Sequence, residues 1–430
     1  MRITHAIVLG LAFGISSAPA DAGPQDAIDE AFGLQAGGST LSEVRVALEP
    51  HGADDGVRFA MGFVDAMLAA EGVLQSAYRH GFLTTFASVA PMTGDQGRFI
   101  MWFANQNPEP TTLEDLDVTL TGALARLGTA RETLTDIDED FKCVIDVRAI
   151  RFDINGDGRT TGAEGLGAFF ELMPPRWRFD PDTRRTIREP MVPETLVVAF
   201  DRGDASWLMG YCHLLAAAGQ WALAHDWSDV FDHTGHVFFP KAQIKYDFLP
   251  NSTWTLEKLF GGMPTPTPFD VTDVLAFFGN MRLPIRDADR MASSLAHLRG
   301  CVAHGKEMWS HYDREEDNDR EWIPNPKQTA VFNEVAVNAE EREAWLAFLD
   351  EADAILHGKK VLRFWRGDGS RGIDVPKVFE EPRAFDLLYW LQGSAAAPYL
   401  REGEFTTPGT WAQLQRVFER RVFRFSFWFN

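Results

Sequence analysis

Apolar residues recur at three- and four-residue steps along most of this chain, the spacing that gathers them on one face of an α-helix. Phe59, Phe63, Ala66, Met67 and Leu74 mark one such face. Leu116, Leu120, Leu124 and Leu127 mark a second, and Thr111 or Thr112 with Glu114 and Asp115 gives it a start signal. A third stripe runs through Trp207, Leu208, Tyr211, Leu214, Leu215, Ala218 and Trp221. After a break the rhythm resumes at Trp227, Val230, Phe231, Val237 and Phe238, and Pro240 ends it. Further helices are predicted from Asp270 or Thr272 to Pro284, over 287–312, over 339–356, near 383–391 and near 411–420. Residues 23–51 are rich in glycine, alanine and polar side chains and predict a segment that is partly ordered at best. The fold class that follows is mainly α: a multi-helix globular array with few short strands.

One stretch breaks the helical rhythm with chemistry. Residues 153–164 read Asp-Ile-Asn-Gly-Asp-Gly-Arg-Thr-Thr-Gly-Ala-Glu. Oxygen-bearing residues stand at fixed offsets, with a glycine at the sixth position where a calcium loop turns sharply. This stretch resembles a single EF-hand calcium loop, D-x-N-x-D-G-x5-E. The resemblance covers these twelve residues and their flanks. It implies that Asp153, Asn155 and Asp157 offer side-chain oxygens and Arg159 its backbone carbonyl. Thr161 would ligate directly or through water, and Glu164 would close the shell with both oxygens. Position eight is Thr160 rather than the β-branched aliphatic of paired hands, and no second good loop offers it a partner. A lone site of this kind implies a structural brace more than a switch. On the outgoing side, Leu166, Phe169, Phe170 and Met173 predict a helix stopped by Pro174-Pro175. On the incoming side, Phe141, Ile145, Arg148 and Phe152 have helical spacing, while Val144–Val147 also reads as a strand. The expected unit is helix, calcium loop, helix.

The front of the chain reads as a secretory signal peptide over residues 1–22: Arg2, an apolar run from Ala6 to Ile15, and a small-residue cleavage pattern ending at Ala22. That run is too short to span a bilayer. The expectation is an exported protein, periplasmic or extracellular, with a helical region over 23–175 that carries the loop and a second over 176–430. The two are either separate or packed as one domain. A formal net charge of -21 opposes nucleic-acid backbones and anionic membrane surfaces and favours cations. Cys143, Cys212 and Cys301 allow at most one internal disulfide, and no C-x-x-C pair suggests zinc.

Other constellations carry weaker chemistry. If the helix continues through them, His225, Asp229, Asp232 and His236 share one face, with a spacing that suits metal ligands, an Asp–His acid–base pairing or the polar side of an amphipathic helix. His297, Cys301, His304, Met308 and His311 repeat that rhythm, as soft-metal ligands or as the half-buried border of an apolar stripe. Asp313, Glu315, Asp317 and Asp319 begin like a second calcium loop, but Asn318 replaces the turn glycine and Pro324 stands where the closing glutamate belongs. A solvated acidic turn and a weak cation site are the two readings. Gly261–Pro268 reads as a stiff linker, and Phe423, Phe425, Phe427 and Phe429 alternate as an edge strand or a core plug. No nucleophile elbow, phosphate loop or H-E-x-x-H signature occurs. The functional expectation is therefore a calcium-binding protein with no assigned protein partner. The alternative is a metal-assisted hydrolase working through residues 225–236.

Overall fold

The computed structural model describes residues 23–85, 104–138, 140–171, 176–180, 185–189, 195–251, 268–331 and 336–418. The leader over 1–22, the Pro174-Pro175 stop, most of the 261–268 linker and the aromatic alternation at 423–429 lie outside the described residues.

The chain opens with two short helices where partial order was expected, α1 (Pro24–Gly33) and α2 (Leu41–Leu48). The small residues of this stretch mask an amphipathic pair whose Ile28, Leu41, Val44 and Leu48 are all buried. Thr40 starts α2 with a reciprocal cap. Its hydroxyl accepts the Glu43 N–H (3.3 Å) and its own N–H donates to the Glu43 carboxylate (2.9 Å). The longest helix, α3 (Asp55–His80), begins at Asp54, whose carboxylate accepts the Val57 N–H, and ends at Gly81 in the left-handed conformation. α4 (Leu113–Leu134) is capped by Thr112 and Asp115, as its sequence predicted.

The segment before the calcium-loop pattern is not a helix. Cys143–Asp146 forms β1, followed by one 3-10 turn at Val147–Ala149. β1 pairs antiparallel with β2 (Val197–Phe200), Cys143 opposite Phe200 and Asp146 opposite Val197. The β-branched Val144 and Ile145 suit that ladder, with Cys143 and Ile145 turned into the core and Val144 half-buried on the other face. The expected helix–loop–helix unit is thus a strand–turn–loop–helix unit. Its outgoing helix, α5, is described over Leu166–Glu171, and the expected end at Met173 and Pro174 lies outside the described residues.

The remaining helices of nine residues or more among the described residues are α6 (Arg202–Ala224), α7 (Ser228–Phe238), α8 (Val271–Gly279), α9 (Ala288–Tyr312), α10 (Ala339–Leu356) and α11 (Pro408–Phe418). The array is a row in which α3 lies beside α4, α4 beside α6, α6 beside α9 and α9 beside α10, with α6 and α9 in the most extended contact. Gly62 permits the α3–α4 approach, because a Cβ there would stand 2.6 Å from the Leu134 side chain. The main core runs from Ile28 to Leu349, so residues from both the 23–175 and 176–430 regions enter it. An aromatic chain crosses it: Phe59 meets Phe141 (5.4 Å between centroids) and Phe200 (5.1 Å), and Phe200 meets Trp322 (6.2 Å). Trp322 ends the acidic stretch that starts at Asp313, so that stretch is pinned to the core at its far end. Cys143, Cys212 and Cys301 are all free and buried. Among the described residues no helix is long and apolar enough to cross a membrane.

Candidate metal centre

The 153–164 loop is built against two separate elements, α3 and the turn between α1 and α2. Phe152 and Ile154 are buried on either side of Asp153, which is itself 5% exposed, while residues 155–159 form the exposed mouth. The Asp153 carboxylate accepts the N–H of Asp157 (3.1 Å) and of Gly158 (3.0 Å). Asn155 Oδ1 accepts the Asp157 N–H (2.8 Å), and Asp157 Oδ1 accepts the Arg159 N–H (2.9 Å). Gly156 and Gly158 take left-handed φ values of 73° and 82°, which let the backbone curl around these side chains without strain. Three ligand-type residues are thereby drawn over one turn. Thr161 and Glu164 form a cap in which Glu164 Oε2 accepts both the N–H (3.0 Å) and the hydroxyl (2.7 Å) of Thr161. Glu164 thus faces Thr161, and closing a shell around an ion requires it to turn inward.

The loop's anchors were not visible in the sequence. Glu71 of α3 accepts the Asp153 N–H (2.8 Å), and Gln75 donates to the Asp153 carbonyl (2.7 Å). Burial pushes the Glu71 carboxyl up to about 7, with Asp153 and Glu164 adding to the rise. Thr160, expected to lack a sister loop, has a partner: its N–H donates to the Gly38 carbonyl (2.9 Å) and its hydroxyl to the Ser39 carbonyl (3.0 Å). The turn between α1 and α2 therefore takes the place of a sister hand without supplying carboxylates. Its signal in the sequence is the Gly37-Gly38 pair followed by the Thr40–Glu43 capping box. Behind the loop lies a cavity of about 380 Å³ lined by Glu71, Gln75, Arg126 and Asp153.

A second acidic region is assembled from remote segments. Among the described residues, the metal-type side chains whose ligand atoms all lie within 4.8 Å of one another are Asp201, Glu315 and Glu321, not those of the loop. Asp201 caps α6, accepting the Gly203 N–H (2.8 Å), and Asp204 one turn later accepts the Tyr312 hydroxyl (2.6 Å). Gly203 makes that contact possible, since any Cβ there would collide with the Tyr312 ring. Burial raises Asp201, lifts Asp204 well above the ordinary carboxylate range, and pushes Glu315 to about 9 and Glu321 to about 7. These carboxyls face one another in low-dielectric surroundings, so at neutral pH the cluster retains protons. Glu315 belongs to the sequence's acidic stretch. Asp201 and Asp204 were missed, although Asp201-Arg-Gly-Asp204 before an apolar stripe is a helix-start pattern.

The histidine stripes do not converge. His225 bonds the Trp221 carbonyl (2.7 Å), and burial lowers its basicity. Asp229 faces His233 (3.5 Å), Asp232 accepts the Lys245 N–H (3.2 Å), and His236 is buried 3.5 Å from Asp273 of α8. His297 meets His213 of α6 at 3.0 Å, His304 pairs with Glu307 (2.9 Å), and Cys301 and Met308 are core residues. His213 also stacks on His304 (5.4 Å between ring centroids) and Glu307 also faces His311 (3.8 Å), so the second stripe gathers around His213 and Glu307, while the members of the first stripe share no partner with it. No protein-family model matches the chain, and no curated protein and no solved structure matches it.

Proposed function

We propose that this chain is an exported calcium-binding protein in which one Ca²⁺ in the 153–164 loop braces the N-terminal half of the fold. Asp153, Asn155, Asp157, the Arg159 carbonyl, Thr161 and Glu164 would hold the ion. Export rests on the leader pattern of residues 1–22, and the ion on the loop's ligand pattern. The observation that carries the reading is the Asp153 carboxylate, buried and bonded to the Asp157 and Gly158 amides, which curls the loop around its ligand side chains. Hard oxygen donors arranged this way suit Ca²⁺, and extracellular sites work at about 10⁻⁴–10⁻³ M calcium. The loop touches α3 through Glu71 and Gln75 and the α1–α2 turn through Thr160. An ion there would lock three elements together, which is the role of a brace.

Calorimetric titration of the purified protein with calcium tests this. The wild type is expected to bind one ion, and Glu164→Gln to lose that heat. Equal heats from the two proteins would overturn the assignment. The Asp201–Glu315–Glu321 cluster holds protons at neutral pH, so Glu315→Gln is expected to leave the titration unchanged. The hydrolase reading has no supporting observation, because His225, Asp229, Asp232 and His236 are each engaged in a different neighbourhood.

A further inference from the structure

Between α3, α4, α7 and α8 lies a cavity of about 480 Å³, inside the roughly 300–1,000 Å³ range of small-molecule sites. Its origin is visible in the packing. The main core ends on the α3–α4 side, and a separate small core of Phe231, Phe239 and Ile244 gathers around α7. The two do not merge, and the cavity is the gap between them. Leu74, Leu116, Leu120, Phe231, Phe238 and Phe277 form its walls.

Every polar group at the wall is already engaged. The Thr119 hydroxyl donates to the Asp115 carbonyl (2.8 Å) and meets the Ser76 hydroxyl at 3.0 Å. The Thr234 hydroxyl donates to the Val230 carbonyl (2.6 Å), and Trp227 Nε1 donates to the Ala222 carbonyl (2.8 Å). The one ionisable side chain in the wall, Asp117, is paired with Arg286 (2.7 Å). Each polar side chain among the described wall residues thus already has a protein partner, and none of those residues is cationic, so nothing described there is placed to pair with an anion on a chain of net charge -21.

We propose that this cavity is a binding site for one uncharged, largely aliphatic small molecule, and that fatty-acid anions are excluded from it. Binding is driven by removal of apolar surface from water, and anions are disfavoured by a wall with no cationic side chain among its described residues and by the field of the whole chain. This site is independent of the calcium loop.

Fluorescence titration with the neutral probe N-phenyl-1-naphthylamine tests the proposal. Saturable, blue-shifted emission at one probe per chain is expected. Dodecanol should displace the probe, and dodecanoate should do so at least tenfold more weakly. Leu116→Trp and Leu120→Trp fill the space from one wall and should each weaken probe binding tenfold or more. Leu215→Trp, on the exposed face of α6, should not. Circular dichroism melts establish which variants fold. Absence of saturable binding to the wild type would overturn the proposal. So would undiminished binding by a folded cavity-filling variant, and equal competition by dodecanoate would overturn the choice of a neutral ligand. If both filling variants fail to fold, the wild-type competition series decides alone.

Discussion

The loop at 153–164 and the cluster of Asp201, Asp204, Glu315 and Glu321 both crowd carboxyl groups together, and they resolve the repulsion in opposite ways. In the loop, Asp153, Asn155 and Asp157 turn their oxygens onto backbone amides of the following residues, and the mouth stays open to water. Backbone N–H groups face those oxygens, and under the proposed function a cation would complete the arrangement. In the cluster, the side chains converge more tightly, but burial leaves them facing one another, and Glu315 is lifted to about 9. What separates the two regions is what faces the carboxyl oxygens: backbone amides in the loop, other carboxyls in the cluster.

The largest expected effect that would break this contrast is Asp153→Ala. It removes two hydrogen bonds to a carboxylate acceptor, each worth about 1.5–3 kcal/mol, and the first ligand of the proposed calcium site. A loss of about 3 kcal/mol in urea unfolding without calcium is expected, against about 1 kcal/mol for the exposed Asp157→Ala. Equal losses would mean that the loop is not organised around its buried aspartate.

Tyr312→Phe probes the other region. The Tyr312 hydroxyl is the donor to buried Asp204, and its removal leaves that carboxyl short of a partner, at a cost of about 2 kcal/mol. Calcium heat should be untouched. A change in that heat would show the two regions to be coupled.

The pH dependence of stability should separate them further. Glu315 has an ordinary value of 4.5 and is raised to about 9 in the fold. Between those values the folded state holds a proton that the unfolded state has released. Stability from this group is therefore present at acid pH and lost as pH rises from about 5 to about 9, with a slope of at most about 1.4 kcal/mol per unit for one proton. Unfolding midpoints measured between pH 6 and 8 should fall in the wild type and flatten in Glu315→Gln. A slope unchanged in the variant would remove Glu315 as the proton carrier.

Much of this architecture could be read from the chain. The stripes from Phe59, Leu116 and Trp207 are long and strongly periodic and each became a helix, and the Leu116 helix starts at the expected Thr112. Thr112, Asp270 and Asn338 cap through their side chains, which is local chemistry. The approach to the loop failed because Phe141, Ile145 and Phe152 satisfy a helical period while Val144 and Ile145 also suit a ladder. The choice was made by Val197–Phe200, more than fifty residues away, which no local pattern reports. The twelve loop residues were legible because their spacing is contiguous. The acidic cluster was not, because Asp201 meets Glu315 only through the packing of α6 against α9, and Glu71 reaches Asp153 only through the fold of α3.

The smallest effect concerns the partner that Thr160 found. Thr160→Val keeps the β-branched shape and the N–H bond to Gly38 and removes the hydroxyl bond to the Ser39 carbonyl. A neutral hydrogen bond of this kind is worth about 0.5–1.5 kcal/mol, so unfolding without calcium should cost about 1 kcal/mol. No ligand is altered, so calcium affinity should fall less than tenfold, by the amount that loosening the loop against the α1–α2 turn costs. If affinity falls as far as in Glu164→Gln, the turn is part of the ion site and the 34–41 segment belongs to it. If neither stability nor affinity moves, the Thr160 N–H bond to the Gly38 carbonyl is enough to hold the loop to the α1–α2 turn, and the hydroxyl drops out of the bracing beside Glu71 and Gln75.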